Sequence, residues 1–197
     1  MTLGRWAHLG HRLGECWVDK VNNKTYIHIP KNASSFVKGV LIGSGGFWHH
    51  SETLVNSNEN LIVLRDPIDR WLSGITQYLH NSCQIDMPVD LVFEKITFDD
   101  HTDLQTYFLQ GVDLTSATYM MVDDLLRANI NDWISSRGYR TNVDIAIQYN
   151  ASRDDDRVTT KHHYANLLEQ HPELVLKLKE HFAEDYKLIN SVIFYGK

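Results

Sequence analysis

The chain has 197 residues, 43% of them hydrophobic and 22% charged, and a formal net charge of −6 at pH 7. These are globular proportions in a chain long enough to bury a sizeable core, which excludes a disordered or fibrous protein. The acidic balance excludes a general nucleic-acid binder, whose surface would be basic.

Two cysteines, Cys16 and Cys83, are too few for a disulfide framework and suit a reducing compartment. The N-terminal stretch interrupts every apolar run with His, Arg or Gly, so no signal-peptide core is expected. No run approaches the ~20 apolar residues of a membrane helix. A soluble, cytoplasmic chain with no membrane segment and no nucleic-acid partner is therefore expected. The sequence leaves its oligomeric state open.

In chain order, residues 1–15 read as an irregular arm. Cys16–Val18 and Thr25–Ile29 read as short strands around a turn-rich segment, a hairpin pattern. Pro30 ends the second strand because it cannot donate a ladder hydrogen bond. From Ser34 a helix places Phe36, Val37, Val40 and Leu41 on one face, and Gly43, Gly45 and Gly46 close it. Leu61–Leu64 is a continuous apolar run, the pattern of a parallel strand buried on both faces.

Asp66 then serves as an N-cap, with Pro67 at the first helical position. Ile68, Trp71, Leu72, Ile75, Tyr78 and Leu79 make an apolar stripe that carries this helix to about Leu79. Asp69, Arg70 and Ser73 are expected on its polar side. Residues 81–115 are mixed, with a helix expected at Leu104–Leu109. Ala117–Val122 reads as a further strand, Asp124–Arg137 as a helix ending at Gly138, and Tyr149–Thr160 as a polar loop. Tyr164–Ser191 reads as helical, with Pro172 opening its longer second part. The alternation predicts a single α/β domain, a three-layer sandwich around a central parallel sheet.

Two strand-to-helix junctions carry chemistry. At residues 25–36 a strand runs through Lys31, Asn32, Ala33, Ser34 and Ser35 into a helix. A helix N-terminus offers N–H groups and the positive end of a dipole to a phosphate-like anion. Small residues admit the anion, two hydroxyls can donate to it, and Lys31 adds a mobile charge. The Walker pattern GxxxxGK[ST] is absent. At residues 61–74, Arg65 ends a buried strand and Ser73 lies eight residues on, a forked donor and a hydroxyl suited to a second phosphate. Ligands of open α/β sheets bind at this carboxyl edge.

Together, IPKNASS and VLRDPIDRWLSG resemble the two cofactor loops of the sulfotransferase superfamily, especially its carbohydrate (Golgi-type) branch. The close match covers roughly residues 26–37 and 61–79. Weaker similarity continues through 99–111, 118–125 and 181–192. The resemblance implies a P-loop-like sulfotransferase fold and transfer of a sulfuryl group from 3′-phosphoadenosine 5′-phosphosulfate (PAPS) to a hydroxyl, most naturally of a carbohydrate. Lys31 with the Asn32–Ser35 cradle would bind the 5′-phosphosulfate, and Arg65 with Ser73 the 3′-phosphate. Adenosine 3′,5′-bisphosphate would be the product. The donor carries less charge than ATP, so no metal is implied.

The acceptor needs a general base, His or Glu in this superfamily. His50 leads because it titrates near working pH, Glu52 follows, and His49 and His101 are further candidates. On a strand His50 and Glu52 share one side and His49 takes the other. His28 reads as a satisfied core or edge histidine. A metal held by His49/His50 with His162/His163 is disfavoured, since neighbours on a strand diverge. Asn32 and Asn150 sit in Asn-x-Ser sequons, and Asn150 with Ser152 resembles an Asn–Ser pair of some relatives. Arg157 and Lys161 are candidates for a basic loop closing over the cofactor. Competing readings are a P-loop nucleotide kinase, for which only Asp123 could supply the second acidic motif, and a non-catalytic nucleotide-binding module.

Overall fold

The structure, a computed structural model, describes residues 15–19, 21–50, 57–140 and 155–195. In chain order its elements are β1 (Cys16–Asp19), β2 (Lys24–Ile27), α1 (Ser34–Gly43), β3 (Phe47–His50), β4 (Glu59–Leu64), α2 (Pro67–Asn81) and α3 (Val89–Lys95). There follow α4 (Gln105–Phe108), β5 (Ala117–Met121), α5 (Leu126–Ser135), α6 (Asp155–Gln170), α7 (Pro172–His181) and α8 (Ala183–Tyr195). They fall into two compact units: a sheet unit up to Arg65 that resumes from Tyr107, and a helical unit of 66–106 with 155–195.

The fold is mixed α/β, and the sheet is mixed rather than parallel. Its strand order is β3-β1-β2-β4-β5. Only β2, β4 and β5 run parallel, while β1 pairs antiparallel with both β2 and β3. The hairpin forces the β1–β2 part of this. Asp19 Oδ1 accepts from the backbone of Val21 (3.0 Å) and Asn22 (3.2 Å), and Asn23 adopts a left-handed φ of 51°, so the chain reverses between Asp19 and Lys24, which pair directly. A reversal that short joins antiparallel strands, because a parallel pair needs a crossover.

One sheet face carries Trp17, Tyr26, Leu61, Val63 and Met120, packed with Val37, Val40 and Leu41 of α1 and Leu126, Ile130, Trp133 and Ile134 of α5. The alternate residues Ile27, Ile62 and Leu64 are equally buried, as the uninterrupted β4 sequence requires. At the start of β4, Glu59 accepts from Lys24, Thr118, Trp133 Nε1 and both oxygens from Arg137. Burial alone would raise its pKa. These donors outweigh it and hold the carboxyl at about 2.

In the helical unit, Asp66 Oδ1 caps α2 through the N–H groups of Ile68 (2.9 Å) and Asp69 (3.0 Å). The expected stripe is real: Trp71, Leu72, Ile75 and Leu79 pack with Val92, Phe93 and Ile96 after α2 and with Tyr164, Leu168, Leu178 and Phe182 from the C-terminal helices. Three expectations change here. Arg70 does not face water; it is 1% exposed, and its guanidinium donates to the carbonyls of Asp100 and Asp103. The short α3 was hidden in the mixed middle, its anchor being Val92 and Phe93. Residues 155–160, read as loop, open α6, where Asp156 in the first turn suits the positive helix end.

Gly74 shows how closely α2 meets the following segment. A Cβ there would lie 2.1 Å from the carbonyl oxygen of His101, a backbone atom. In an open helix Gly→Ala stabilises by about 1 kcal/mol. Here Gly74→Ala is expected to destabilise by about 2 kcal/mol or more, measured as a lower urea midpoint with an unchanged slope. A raised midpoint would show that the two segments separate at no cost.

Candidate functional site

The parallel strands β2, β4 and β5 end at one edge of the sheet, and the antiparallel registers bring the end of β3 and the start of β1 there too: Cys16 is paired with both Ile27 and His50. This edge holds the first junction. After β2 the chain turns through Pro30, Lys31 and Asn32 into α1, with Asn32 N–H donating to the carbonyl of Ile29 (3.4 Å). Lys31 and Ala33 both take left-handed backbones, φ 68° and 53°, on either side of Asn32. Non-glycine residues rarely hold that conformation, and it is kept where the surroundings over-determine it. Backbones that alternate in this way turn successive N–H groups into one concavity suited to an anion. Ala33 is the N-cap of α1 and has no capping side chain to close that helix end.

Two bonds fix the loop to the second junction. Asn32 is fully buried and its side-chain amide donates to the Val63 carbonyl at 2.8 Å. Arg65 Nη1 donates to the Lys31 carbonyl at 3.2 Å. The structure therefore brings Lys31, Asn32, Ala33, Ser34, Ser35 and Arg65 together in the sheet unit. Ser34 is buried and Ser35 half-buried at the first turn of α1. Ser73 lies half-buried on α2 of the helical unit. A glycan on Asn32 is incompatible with its buried amide.

His50 is placed as the last residue of β3. Glu52, Asn150 and Ser152 lie outside the described residues. His49 stands in the register row of Trp17 and Tyr26, and its Nε2 meets Glu15 Oε1 at 3.0 Å. His28 is buried, as expected of a satisfied histidine, with Nδ1 3.0 Å from Glu15 Oε2. Asp123 is exposed at the end of β5 and accepts from the Leu125 N–H at 2.9 Å, so it works as a turn cap. Arg157 donates to Asn81 Oδ1 at 3.2 Å, and His162 and His163 are exposed on α6.

One grouping that sequence reasoning missed lies in the helical unit. Asp99, Asp100 and His101 are buried, with potential ligand atoms within 4.8 Å of one another. The imidazole already sits between the carboxylates, Nδ1 being 2.9 Å from Asp100 and 3.2 Å from Asp99. Burial opposes the charged ring, but the hydrogen bonds to Asp100 and Asp99 outweigh it and raise the His101 pKa. The ring thus fills the space between the two carboxylates. His101 is committed to this structural role.

No family model matches the chain, and neither a curated protein nor a solved structure matches it. Among the described residues, no helix is long and apolar enough to cross a membrane.

Proposed function

We propose that the chain is a PAPS-dependent sulfotransferase with a P-loop-like sulfotransferase fold, acting on a hydroxyl of a carbohydrate or similar polar acceptor. The observation that carries this reading is the loop Lys31–Ser35: two left-handed non-glycine residues beside an uncapped helix start, braced by Arg65. Such a loop suits a tetrahedral anion, and the lysine at its lip suits a group that leaves with developing negative charge. The acceptor class comes from the resemblance of the two motifs, since a fold and cofactor site do not fix it.

In the proposed reaction the acceptor oxygen attacks sulfur while the bond to the bridging oxygen of the 5′-phosphate breaks in line. Catalysis of such a loose transfer is positioning plus electrostatic stabilisation. Lys31 and the N–H groups of the loop meet the charge that accumulates on the departing bisphosphate. Arg65 binds the 3′-phosphate, and a base at the end of β3 or just after it takes the acceptor proton. Cys83 is a free, exposed thiol, which suits a reducing, cytoplasmic setting.

Calorimetry with adenosine 3′,5′-bisphosphate and with ATP–Mg²⁺ tests the reading. Tight, metal-independent binding of the bisphosphate is expected. Preference for ATP–Mg²⁺ would favour a kinase, and binding of neither a non-catalytic module. Arg65→Ala is expected to weaken the bisphosphate about 10- to 100-fold, the worth of one or two hydrogen bonds to a charged group, and AMP far less. Equal losses for both ligands would refute the 3′-phosphate assignment and leave Arg65 as a brace for the Lys31 carbonyl.

A further inference from the structure

The edge that holds the anion loop carries a second arrangement of side chains. Glu15 immediately precedes β1, and its carbonyl accepts from His28 N–H at 3.0 Å, so the hydrogen-bond ladder continues past Ile27 toward Lys31. Its carboxylate reaches two imidazoles: Oε2 lies 3.0 Å from His28 Nδ1 and Oε1 3.0 Å from His49 Nε2. The three differ sharply in exposure. The side chain of His28 is 2% exposed and that of Glu15 15%, while that of His49 is 54% exposed. The Trp17 ring lies beneath, 5.0 Å from the His49 ring and 5.7 Å from the His28 ring. Lys38 Nζ sits 5.0 Å from the Trp17 ring centroid, and burial pushes its pKa down against the pull of Glu15.

A buried histidine that fixes a carboxylate, which in turn fixes an exposed histidine, is an arrangement that orients a base. A carboxylate bonded to one ring nitrogen selects the tautomer protonated there and leaves the other nitrogen as acceptor. From this geometry we infer that His49 is the general base toward the acceptor hydroxyl, and that Glu15, anchored by His28, is the residue that positions it. The inference rests on the sulfotransferase reading and names the base within it. With Nε2–H donated to Glu15, His49 Nδ1 takes the acceptor proton. The acceptor oxygen forms the new S–O bond, the bridging S–O bond breaks, and its electron pair leaves on adenosine 3′,5′-bisphosphate. Among the described residues, the groups facing His49 are Glu15, Trp17 and, through them, His28 and Lys38.

The test uses the full chain with ³⁵S-labelled PAPS and two hydroxyl probes, unsulfated chondroitin and 4-nitrophenol, between about pH 5.5 and 8.5 where histidine titrates. His49→Gln is expected to lower kcat at least ~100-fold and to abolish the acidic limb of the pH profile, as loss of a general base does. Glu15→Gln is expected to lower kcat about 10-fold with KM for PAPS unchanged, the scale of effect when a group that only orients a reacting side chain is altered, and Glu15→Asp to restore most of it. Both variants should bind the bisphosphate like the wild type, which reports that they are folded. Full activity of His49→Gln, or a wild type that binds the bisphosphate and sulfates neither probe, overturns the assignment. A wild type that does not bind the bisphosphate defeats the sulfotransferase reading instead.

Discussion

Lys31→Ala is expected to lower the rate of sulfuryl transfer about 100- to 1,000-fold, the loss seen when a preorganised donor to a developing oxyanion is removed. Lys31 stands at φ 68°, where lysine and alanine carry the same Cβ penalty, so the substitution changes the charge and leaves the backbone cost as it was. Its carbonyl, which accepts from Arg65, also stays in place. Stability should therefore be unchanged, and the melting temperature checks this. On the proposed reaction the loss should appear mainly in kcat, because the charge that Lys31 would meet is greatest in the transition state. Lys31→Arg should recover little, since a planar fork cannot occupy the place of a compact ammonium at a tight turn. Wild-type turnover in a folded Lys31→Ala protein would remove the lysine from the chemistry.

What could be read from the sequence was what depends on local pattern. The LIVL run specified a strand buried on both faces, and Asp66-Pro67 specified a capped helix start; both hold in the structure. The loop Lys31–Ser35 stood out only through its pairing with VLRDPIDRWLSG, because a lysine and serines between a strand and a helix are common by themselves. Its backbone was not legible. Nothing in Lys31 or Ala33 announces a left-handed conformation, which non-local bonds to Val63 and Arg65 impose.

Strand direction was legible only within the hairpin. The position of β3 beside β1 depends on register across the sheet, which a four-residue apolar–polar segment does not encode. Charged residues misled in one specific way. Arg70 has the helical phase of a solvent-facing residue, yet it is buried because backbone carbonyls supplied from 30 and 33 residues away meet its guanidinium. Glu15 was read as part of an irregular arm, and its importance comes from two histidines that the chain reaches 13 and 34 residues later.

Arg70 also gives the largest effect expected on stability. The guanidinium is 1% exposed, and burial lowers its pKa to about 10 despite the opposing pull of Asp185, Asp103, Asp100 and Asp99. All four carboxylates are themselves largely buried. They have other partners: Asp99 and Asp100 hold His101, and Asp185 accepts from the backbone of Gln105 (2.8 Å) and Thr106 (2.9 Å). Arg70 is the cation that balances this group and the donor that ties two of its carbonyls to α2.

Arg70→Met keeps much of the side-chain volume but removes the charge and both bonds. It leaves two buried carbonyls short of a donor and several carboxylates short of a counter-charge. Breaking one side of a buried ionic arrangement costs about 3–5 kcal/mol, out of the roughly 5–15 kcal/mol by which a domain is stable at all. At about 2–4 °C per kcal/mol for a chain of this size, the melting temperature should fall by about 10 °C. Arg70→Lys retains the charge without the fork that spans both carbonyls, so its loss should be intermediate. The alternative outcome has a clear meaning. If Arg70→Met melts within a degree or two of the wild type, the four aspartates are neutralised by His101 and the backbone alone, and the buried arginine is a passive filler of α2.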